Sequence, residues 1–308
     1  MMDISSEGLQ TLAAVIREGT FDGAAAALHL TPSAVSQRMK ALEKAVGVVL
    51  VQRTKPVRAT PDGEILLRLA AQWDLLRLEA AADLAGKPEP GDPAADPRDW
   101  RDVPRIHLPI AANADSISIW LLPVVAEIQR RHPVAVEVLR DDESHSTGFL
   151  RAGQAVGAIT SDPRPVRGCT VLPLGSMRYL PVASTEFIRT WLPNGLRAAD
   201  LARAPMVSFD RKDTIQLDLL NRLTRQHVDP PVTYVPASVE YHRAVELGAG
   251  WGAVPATQIE PALAAGTVKK LGNQHVDIKL FWQYWKLGSP IINDLTDLIK
   301  DSARDFLV

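Results

Sequence analysis

The sequence predicts an α/β multidomain chain: a small winged helical head, a long connecting helix, and a larger α/β body in two lobes. Three observations carry that prediction. Amphipathic helical patterns, punctuated by glycine and by Thr-Pro, fill the first 85 residues. From Arg105 on, apolar extended runs alternate with helical ones, and a proline-rich stretch separates the two parts. With 308 residues, the chain is long enough for about two domains.

In the head, Leu9, Leu12, Ala13 and Ile16 give the three-and-four spacing of a first helix that should end near Gly19. Thr20 caps a second helix, FDGAAAALH, whose alanines favour helix and let a neighbour pack closely. His29 and Leu30 make a short turn. Thr31 then stands at an N-cap with Pro32 at the first helical position, and Gly47 sits where a helix stops. Between them Val35, Met39, Leu42 and Val46 form an apolar stripe. Ser33, Ser36, Gln37, Lys40 and Lys44 fall on the other side, all donors with no acid among them. Helix, tight turn and helix with a basic polar face is a helix-turn-helix, its second helix suited to a DNA major groove.

VVLVQRTKPVRAT follows as two short extended segments around Thr54 to Pro56, an edge hairpin or wing, since Pro56 cannot extend a central ladder. Arg53, Lys55 and Arg58 lie on it; a solvated basic loop is the alternative, but beside a recognition helix, contact with phosphates or the minor groove is favoured. Net charge is only -2, yet from Thr31 to Thr60 six cations, Arg38 and Lys40 among them, face Glu43 alone. That local excess is the electrostatic footprint of DNA binding.

Thr60-Pro61 opens a long helix to about Ala85, with Leu66, Leu69, Trp73, Leu76 and Ala80 spaced as a coiled-coil seam. The seam can pack on its own domain or on a second copy; the helix's length favours the second, and dimers match two-fold half-sites. Gly86 to Pro104 carries five prolines and reads as a spacer.

The body alternates RIHLPIA, a helix from about Ser116 to Arg131, VAVEVL, a short helix around Phe149 and AVGAIT. MVSF, IQLDLLNRL, VTYVPA, VEYHRAVEL and WGAVP repeat the scheme. This predicts α/β structure with largely parallel sheets and a ligand cleft at strand ends. Four features bear on that cleft. Asn113-Ala114-Asp115-Ser116 is an anion seat at a helix start, or a plain N-cap by Asp115 or Ser116. Asp141-Asp142-Glu143 suits a cationic ligand, or is a solvated acidic loop. Gly248 to Gly252 precedes a strand and Pro255, the wrong context for a dinucleotide loop. Phe281, Trp282, Tyr284 and Trp285 read as core.

Cys169 is the single cysteine, so no intrachain disulfide or zinc cluster is expected. No apolar run reaches the roughly 18 residues of a membrane span. The N-terminus lacks a basic region followed by an apolar core, so a cytoplasmic protein is expected. Metal-ligand spacing, a nucleophile elbow and a P-loop are all missing, which argues against an enzyme and against a cofactor.

Phe21 with its alanine run, TPSAVSQRMKALEKAVGVVLVQR, and RATPDG resemble the N-terminal module of LysR-type transcriptional regulators. The resemblance implies groove contacts from Thr31, Ser33, Ser36 and Gln37, and DNA-backbone contacts from Arg53 and Arg58. Gln37-Arg38 reverses the family's usual Arg-Gln order, so either side chain can be the base reader. The resemblance also implies a periplasmic-binding-protein-like effector domain, with a head at 1–60, linker helix at 61–85, spacer at 86–104 and effector domain at 105–308. Lobe one would comprise 105–160 and 272–308, and lobe two 161–271.

NADS, DDESHS, MRYLPVAS and YWKLGSPII resemble the ArgP/LysG branch, whose members sense lysine and arginine and control amino-acid export. Carried onto this chain, that implies an effector site drawn from Asn113, Ala114, Asp115, Ser116, Asp141, Asp142, Glu143, Thr160 and Asp210. NADS would seat the α-carboxylate and an acid would face the side-chain cation. Implied partners are operator DNA, RNA polymerase, a basic amino acid (lysine, arginine or histidine) and further copies of the chain in a dimer or tetramer. An architectural DNA-binding protein or replication-initiation inhibitor is the alternative, because it needs the same head.

Overall fold

The computed structural model describes residues 4–84, 105–140, 146–224 and 226–308. The spacer expected over 86–104 and the triplet Asp141, Asp142 and Glu143 therefore lie outside the described residues.

The head contains α1 (Ser6–Glu18), α2 (Phe21–Ala27) and α3 (Pro32–Val46). Ser5, Thr20 and Thr31 each accept a bond from the N–H three residues on, satisfying one orphan donor at each helix start. Gly19 and Gly47 end α1 and α3 at φ of 66° and 78°, a region where glycine avoids the Cβ penalty. Leu12, Val15, Val35, Met39 and Leu42 are buried together between the helices. A hairpin of β1 (Val51–Gln52) and β2 (Arg58–Ala59) follows, pinned to the helices by Val57 N–H donating to Gly19 O at 2.8 Å.

Helix α4 (Pro61–Leu84), about 36 Å long at 1.5 Å per residue, leaves the head. Its Leu66, Leu67 and Ala70 join the head's core, whereas Leu75 is buried in the core of the body. The expected seam changes by one residue. Leu69, Trp73 and Leu76 are 40%, 48% and 37% exposed, but Leu66 is only 8% exposed and Ile65, at 53%, takes its place in the open stripe. The reason is that α4 is apolar on several sides, so three-four spacing alone does not choose a face.

The body begins with β3 (Ile106–Ala112) and α5 (Ala114–Ser116), which runs through a π-helical turn at Ile117–Leu121 into α6 (Leu122–Arg131). Next come β4 (Val134–Arg140), α7 (Thr147–Arg151) and β5 (Gly157–Thr160); β3 pairs in parallel with both strands. Then β6 (Cys169–Ser184), α8 (Thr185–Trp191), α9 (Ala198–Leu201), β7 (Met206–Ser208) and α10 (Ile215–Thr224) lead to β8 (Val232–Tyr234). The chain closes with α11 (Ser238–Glu246), β9 (Gly252–Pro255), α12 (Ala256–Ala264), β10 (Val268–Lys270), β11 (Val276–Trp285) and α13 (Pro290–Phe306).

One sheet runs in the order β10-β6-β11-β5-β3-β4, with β9 also on β6, while β7 and β8 pair separately. The largely parallel sheet expected from the alternating pattern is instead mixed, because β6 and β11 pair antiparallel with each other and with β5, β9 and β10. These two long strands run from one lobe to the other. Residues 169–173 pair with the end of β11 that also meets β5, whereas residues 179–184 meet β9 and β10. Cys169–Pro173 thus pairs on the β5 side although it lies within 161–271. A register shift at Leu280/Phe281 and the Arg178–Asp277 ion pair, at 2.8 Å, mark the crossing.

Trp120, Trp282 and Trp285 are fully buried with Ile128 and Leu295 in the core around β3 and β5, and Tyr284 packs at its edge. Trp282, Tyr284 and Trp285 of the aromatic strand thus serve the core, while Phe281 is half-buried outside it. Gly157 is required there, since a Cβ would sit 2.1 Å from the Trp282 ring. In the other lobe Phe187, Leu201 and Trp251 pack on one side and Val207, Tyr241 and Val254 on the other. Gly252 lies where a Cβ would come within 2.3 Å of the Tyr241 hydroxyl. Residues 248–252 therefore serve close packing behind the cleft. Among the described residues no helix is long and apolar enough to cross a membrane.

Candidate functional site

Two surfaces collect the chemistry. On the head, α3 buries Val35, Met39 and Leu42 and turns Ser33, Gln37, Lys40 and Lys44 to solvent, with Ser36 half-buried at the edge of that face. Thr31 is exposed and its Oγ1 accepts the Ala34 N–H at 3.2 Å, fixing the direction in which α3 starts. Arg38 is turned back to α1, where it pairs with Glu7 at 3.1 Å. Gln37 keeps its amide outward, the arrangement from which an amide can bridge two base-edge groups. Arg53, Lys55 and Arg58 are exposed on the hairpin, and the Arg53 guanidinium lies 6.0 Å from the Phe21 ring centre, which orients it beside α2. If these assignments hold, Ser36→Ala with Gln37→Ala lowers discrimination between operator and random DNA while the salt slope stays nearly constant. Arg53→Ala instead weakens all DNA alike and reduces that slope by about one unit. Competition binding at several salt concentrations reads both.

The second surface is a cleft of about 520 Å³ between the lobes, where Asn113, Ala114, Asp115, Arg140 and Ser161 face Phe209, Asp210, Lys212, Asp213 and Gln216. Tyr179 and Ile278, from the two long strands, form its floor with Tyr241 and Ala253. Asn113 is the residue that caps the helix, its Oδ1 accepting the Ser116 N–H at 3.3 Å. The cap reading of this segment named Asp115 or Ser116; with Asn113 in that role, Asp115 is released to the cleft and Ser116 is buried behind it. Thr160 is likewise buried, accepting the Asp162 N–H at 3.1 Å, and Ser161 reaches the cleft in its place.

Asp115 Oδ2 accepts the Tyr179 hydroxyl at 2.7 Å. Burial pushes the Asp115 carboxyl above its ordinary range; the nearby Ser238 and Tyr179 hydroxyls pull it back, and the charge of Asp213 raises it further. Asp213 is held by the N–H groups of Phe209 and Ile215 at 3.1 and 2.9 Å, and Asp210 by those of Lys212 and Asp213 at 2.6 and 3.1 Å. Gln216 Oε1 accepts the Ala253 N–H at 2.8 Å, and Tyr241 donates to Val207 O at 3.0 Å. Burial, then the Asp213 charge, pushes the Tyr241 hydroxyl well up, so it stays protonated. Arg140 bridges the lobes at the rim, donating to Pro236 O at 3.4 Å.

Among the described residues, three carboxyl groups, Asp115, Asp210 and Asp213, face Arg140 and Lys212 around the cleft. Asp213, Tyr179, Gln216, Tyr241 and Arg140 are not among the expected site residues; the DRKD run around Asp210 and Asp213 and the MRYLPVAS motif around Tyr179 carried a signal. The Cys169 thiol is pushed up to about 11 by burial, so it is no thiolate nucleophile at neutral pH. Among the described residues no group of three or more His, Cys, Asp or Glu is placed to hold a metal ion.

Comparison with known proteins gives a concordant result. Residues 6–64 match the model for bacterial regulatory helix-turn-helix proteins of the lysR family, and residues 101–304 match the LysR substrate binding domain. The lysine export transcriptional regulatory protein LysG of Corynebacterium efficiens is 41% identical over 297 residues, 96% of this chain and 97% of that protein. The crystal structure of ArgP from Mycobacterium tuberculosis superposes with a TM-score of 0.86 at 41% identity, covering 99% of both chains. Full-length LysG of Corynebacterium glutamicum with bound effector Arg superposes at 0.79 and 37% identity, again over 99% of both.

Proposed function

This chain is a member of the LysR family of DNA-binding transcriptional regulators, and we propose that it switches on a lysine or arginine exporter gene when that amino acid fills the cleft. The observation that carries the effector class is the meeting of Asp115, Asp210 and Asp213 on the walls of one small-molecule-sized cavity. A volume of 520 Å³ suits a ligand of amino-acid size, within the usual range of about 300–1,000 Å³. A basic amino acid brings two cationic groups and one carboxylate, the charge pattern that complements this lining. In this reading the helix start at Asn113–Asp115 takes the zwitterionic head, its N–H groups receiving the carboxylate and Asp115 the α-ammonium. Asp210 and Asp213 face the side-chain cation from the other lobe. Two similar regulators, one of lysine export and one solved with bound effector Arg, support the same class.

Ligand reaching both walls binds the closed cleft better than the open one, and it shifts the population only by that difference in affinity. Two or more copies, paired along Leu69, Trp73 and Leu76, would carry the change to two α3 helices on DNA and to RNA polymerase.

The electrostatics of Asp115 give this reading a sign. Its carboxyl is raised in the ligand-free cleft, and an ammonium beside it favours the ionised form. Binding therefore lowers its pKa and releases a proton wherever part of the carboxyl is protonated. Affinity should rise with pH up to the raised value and be flat above it. Calorimetric titration with L-lysine, L-arginine and the neutral analogue L-citrulline, in two buffers of different ionisation heat, tests both parts. Heat and proton release with the two basic amino acids, and about tenfold or more weaker binding of L-citrulline, are expected. Absence of heat and of thermal stabilisation with L-lysine and L-arginine alike would sink the assignment.

A further inference from the structure

Helix α4 has two apolar faces and the exposed one accounts for only half of it. The stripe Ile65, Leu69, Trp73, Leu76 is open, whereas Leu67, Ala71, Leu75 and Leu78, on the opposite side, are packed into cores of this same chain. Leu75, Ala71 and Leu78 belong to the body's core rather than the head's. The end of α7 presses on the helix backbone: Gly153 has φ of 70°, and a Cβ there would lie 2.5 Å from Arg68 N.

At the far end of this contact stands a buried carboxylate. Glu79, 8% exposed, accepts from the Ser289 hydroxyl at 2.5 Å and from the Ile291 N–H at 3.4 Å, both at the start of the 17-residue α13. A carboxylate at a helix start is stabilised by the N–H groups and the helix dipole, whereas burial without such donors costs several kcal/mol. Ser289 follows β11 by four residues, and β11 carries Ile278 in the cleft lining. Seven residues of strand, about 24 Å, and the four residues after it thus connect the cleft floor to Ser289, a donor to Glu79.

We propose that Glu79 on the start of α13 is a clasp holding α4 against the body of its own chain, so that movement of β11 on cleft closure repositions the helix carrying the DNA-reading head. One face of α4 is left for a second copy, the other is bound to the sensor. The link to closure rests on the ligand reading above; the clasp itself does not.

The test is hydrogen exchange on the full-length, ligand-free protein. Glu79→Ala should speed exchange of amides in 71–79 and 289–293 by about tenfold or more, leaving α1 to α3 at the wild-type rate. Glu79→Gln, which keeps an oxygen acceptor without the charge, should do so less. Ser289 also caps α13, accepting the Ile292 N–H at 3.1 Å, so Ser289→Ala and the double variant complete a cycle. Less-than-additive acceleration in the double variant supports the clasp. Wild-type exchange in Glu79→Ala, or strictly additive effects, overturns it. With L-arginine present, Glu79→Ala should bind the amino acid within about twofold of wild type yet lose the ligand-dependent change in DNA affinity; retention of that change overturns the coupling. Failure of the wild-type protein to bind L-arginine would count against the effector reading and leave the exchange result unaffected.

Discussion

Asp115→Asn is expected to remove the response to basic amino acids while leaving the fold at least as stable as wild type. The carboxylate is the charged group at the helix start in the cleft, with Tyr179 2.7 Å away and Asp213 adding its charge. Replacing it by an amide keeps the size and an acceptor for Tyr179 but removes the charge that would meet an ammonium. Truncating one partner of a buried charge pair costs about 2–5 kcal/mol, so affinity should fall by about 30-fold or more. Stability has the opposite sign. A carboxyl whose pKa is raised on folding contributes stability at low pH and loses it as pH rises through the folded value, so ionised Asp115 is a burden at neutral pH. The amide lifts that burden, and the melting temperature in ligand-free buffer should not drop. Loss of both binding and stability would place Asp115 among structural groups instead.

Leu69→Glu combined with Trp73→Glu is expected to convert the protein to monomers and to weaken operator binding by about 1,000-fold or more. Both side chains lie on the open stripe of α4, outside the cores of head and body, so the substitutions leave those cores intact. Across a two-fold contact each appears twice. Leu69 and Trp73 are 40% and 48% exposed, so covering them adds about 1 kcal/mol each. Over the four copies this comes to about 4 kcal/mol, the amount that a 1,000-fold change requires. Like charges facing one another would oppose association further. Sedimentation velocity with circular dichroism checks the result, a folded monomer being the expected species. A dimer of unchanged affinity would mean that this stripe is not where copies meet.

The head was legible because its signals are local. Thr20, Thr31, Gly19 and Gly47 mark helix ends through their own chemistry, and Val35, Met39 and Leu42 mark the buried face by spacing alone. Helix α4 was legible as a helix but not in its faces: it meets the head, the body and open solvent in turn, so the stripe through Leu66 and the stripe through Ile65 look alike in sequence. Strand β6 was missed for a related reason. It passes from one lobe to the other, its residues are mostly half-buried up to Ser176, and no period-two alternation survives there. Without β6 the sheet read as parallel.

The cleft shows the same division. Asn113 to Asp115 could be found because a strand end followed by a helix start is local, although which residue caps was not. Gln216 and Tyr241 reach the cleft from separate elements brought together only by packing, and nothing in their neighbourhoods announces it. Tyr179 lies in MRYLPVAS, which marks the family branch but not a place in the cleft. Arg38 is a smaller case: its pairing with Glu7 depends on how α1 crosses α3.

Genome-wide footprinting of the wild-type protein, with and without L-lysine or L-arginine, tests most directly whether a basic amino acid in the cleft governs how paired α3 helices sit on DNA. A discrete site beside a transporter gene, whose footprint changes when either amino acid is added, is the predicted result. Scattered A·T-rich binding that neither amino acid alters would contradict the account and favour an architectural role.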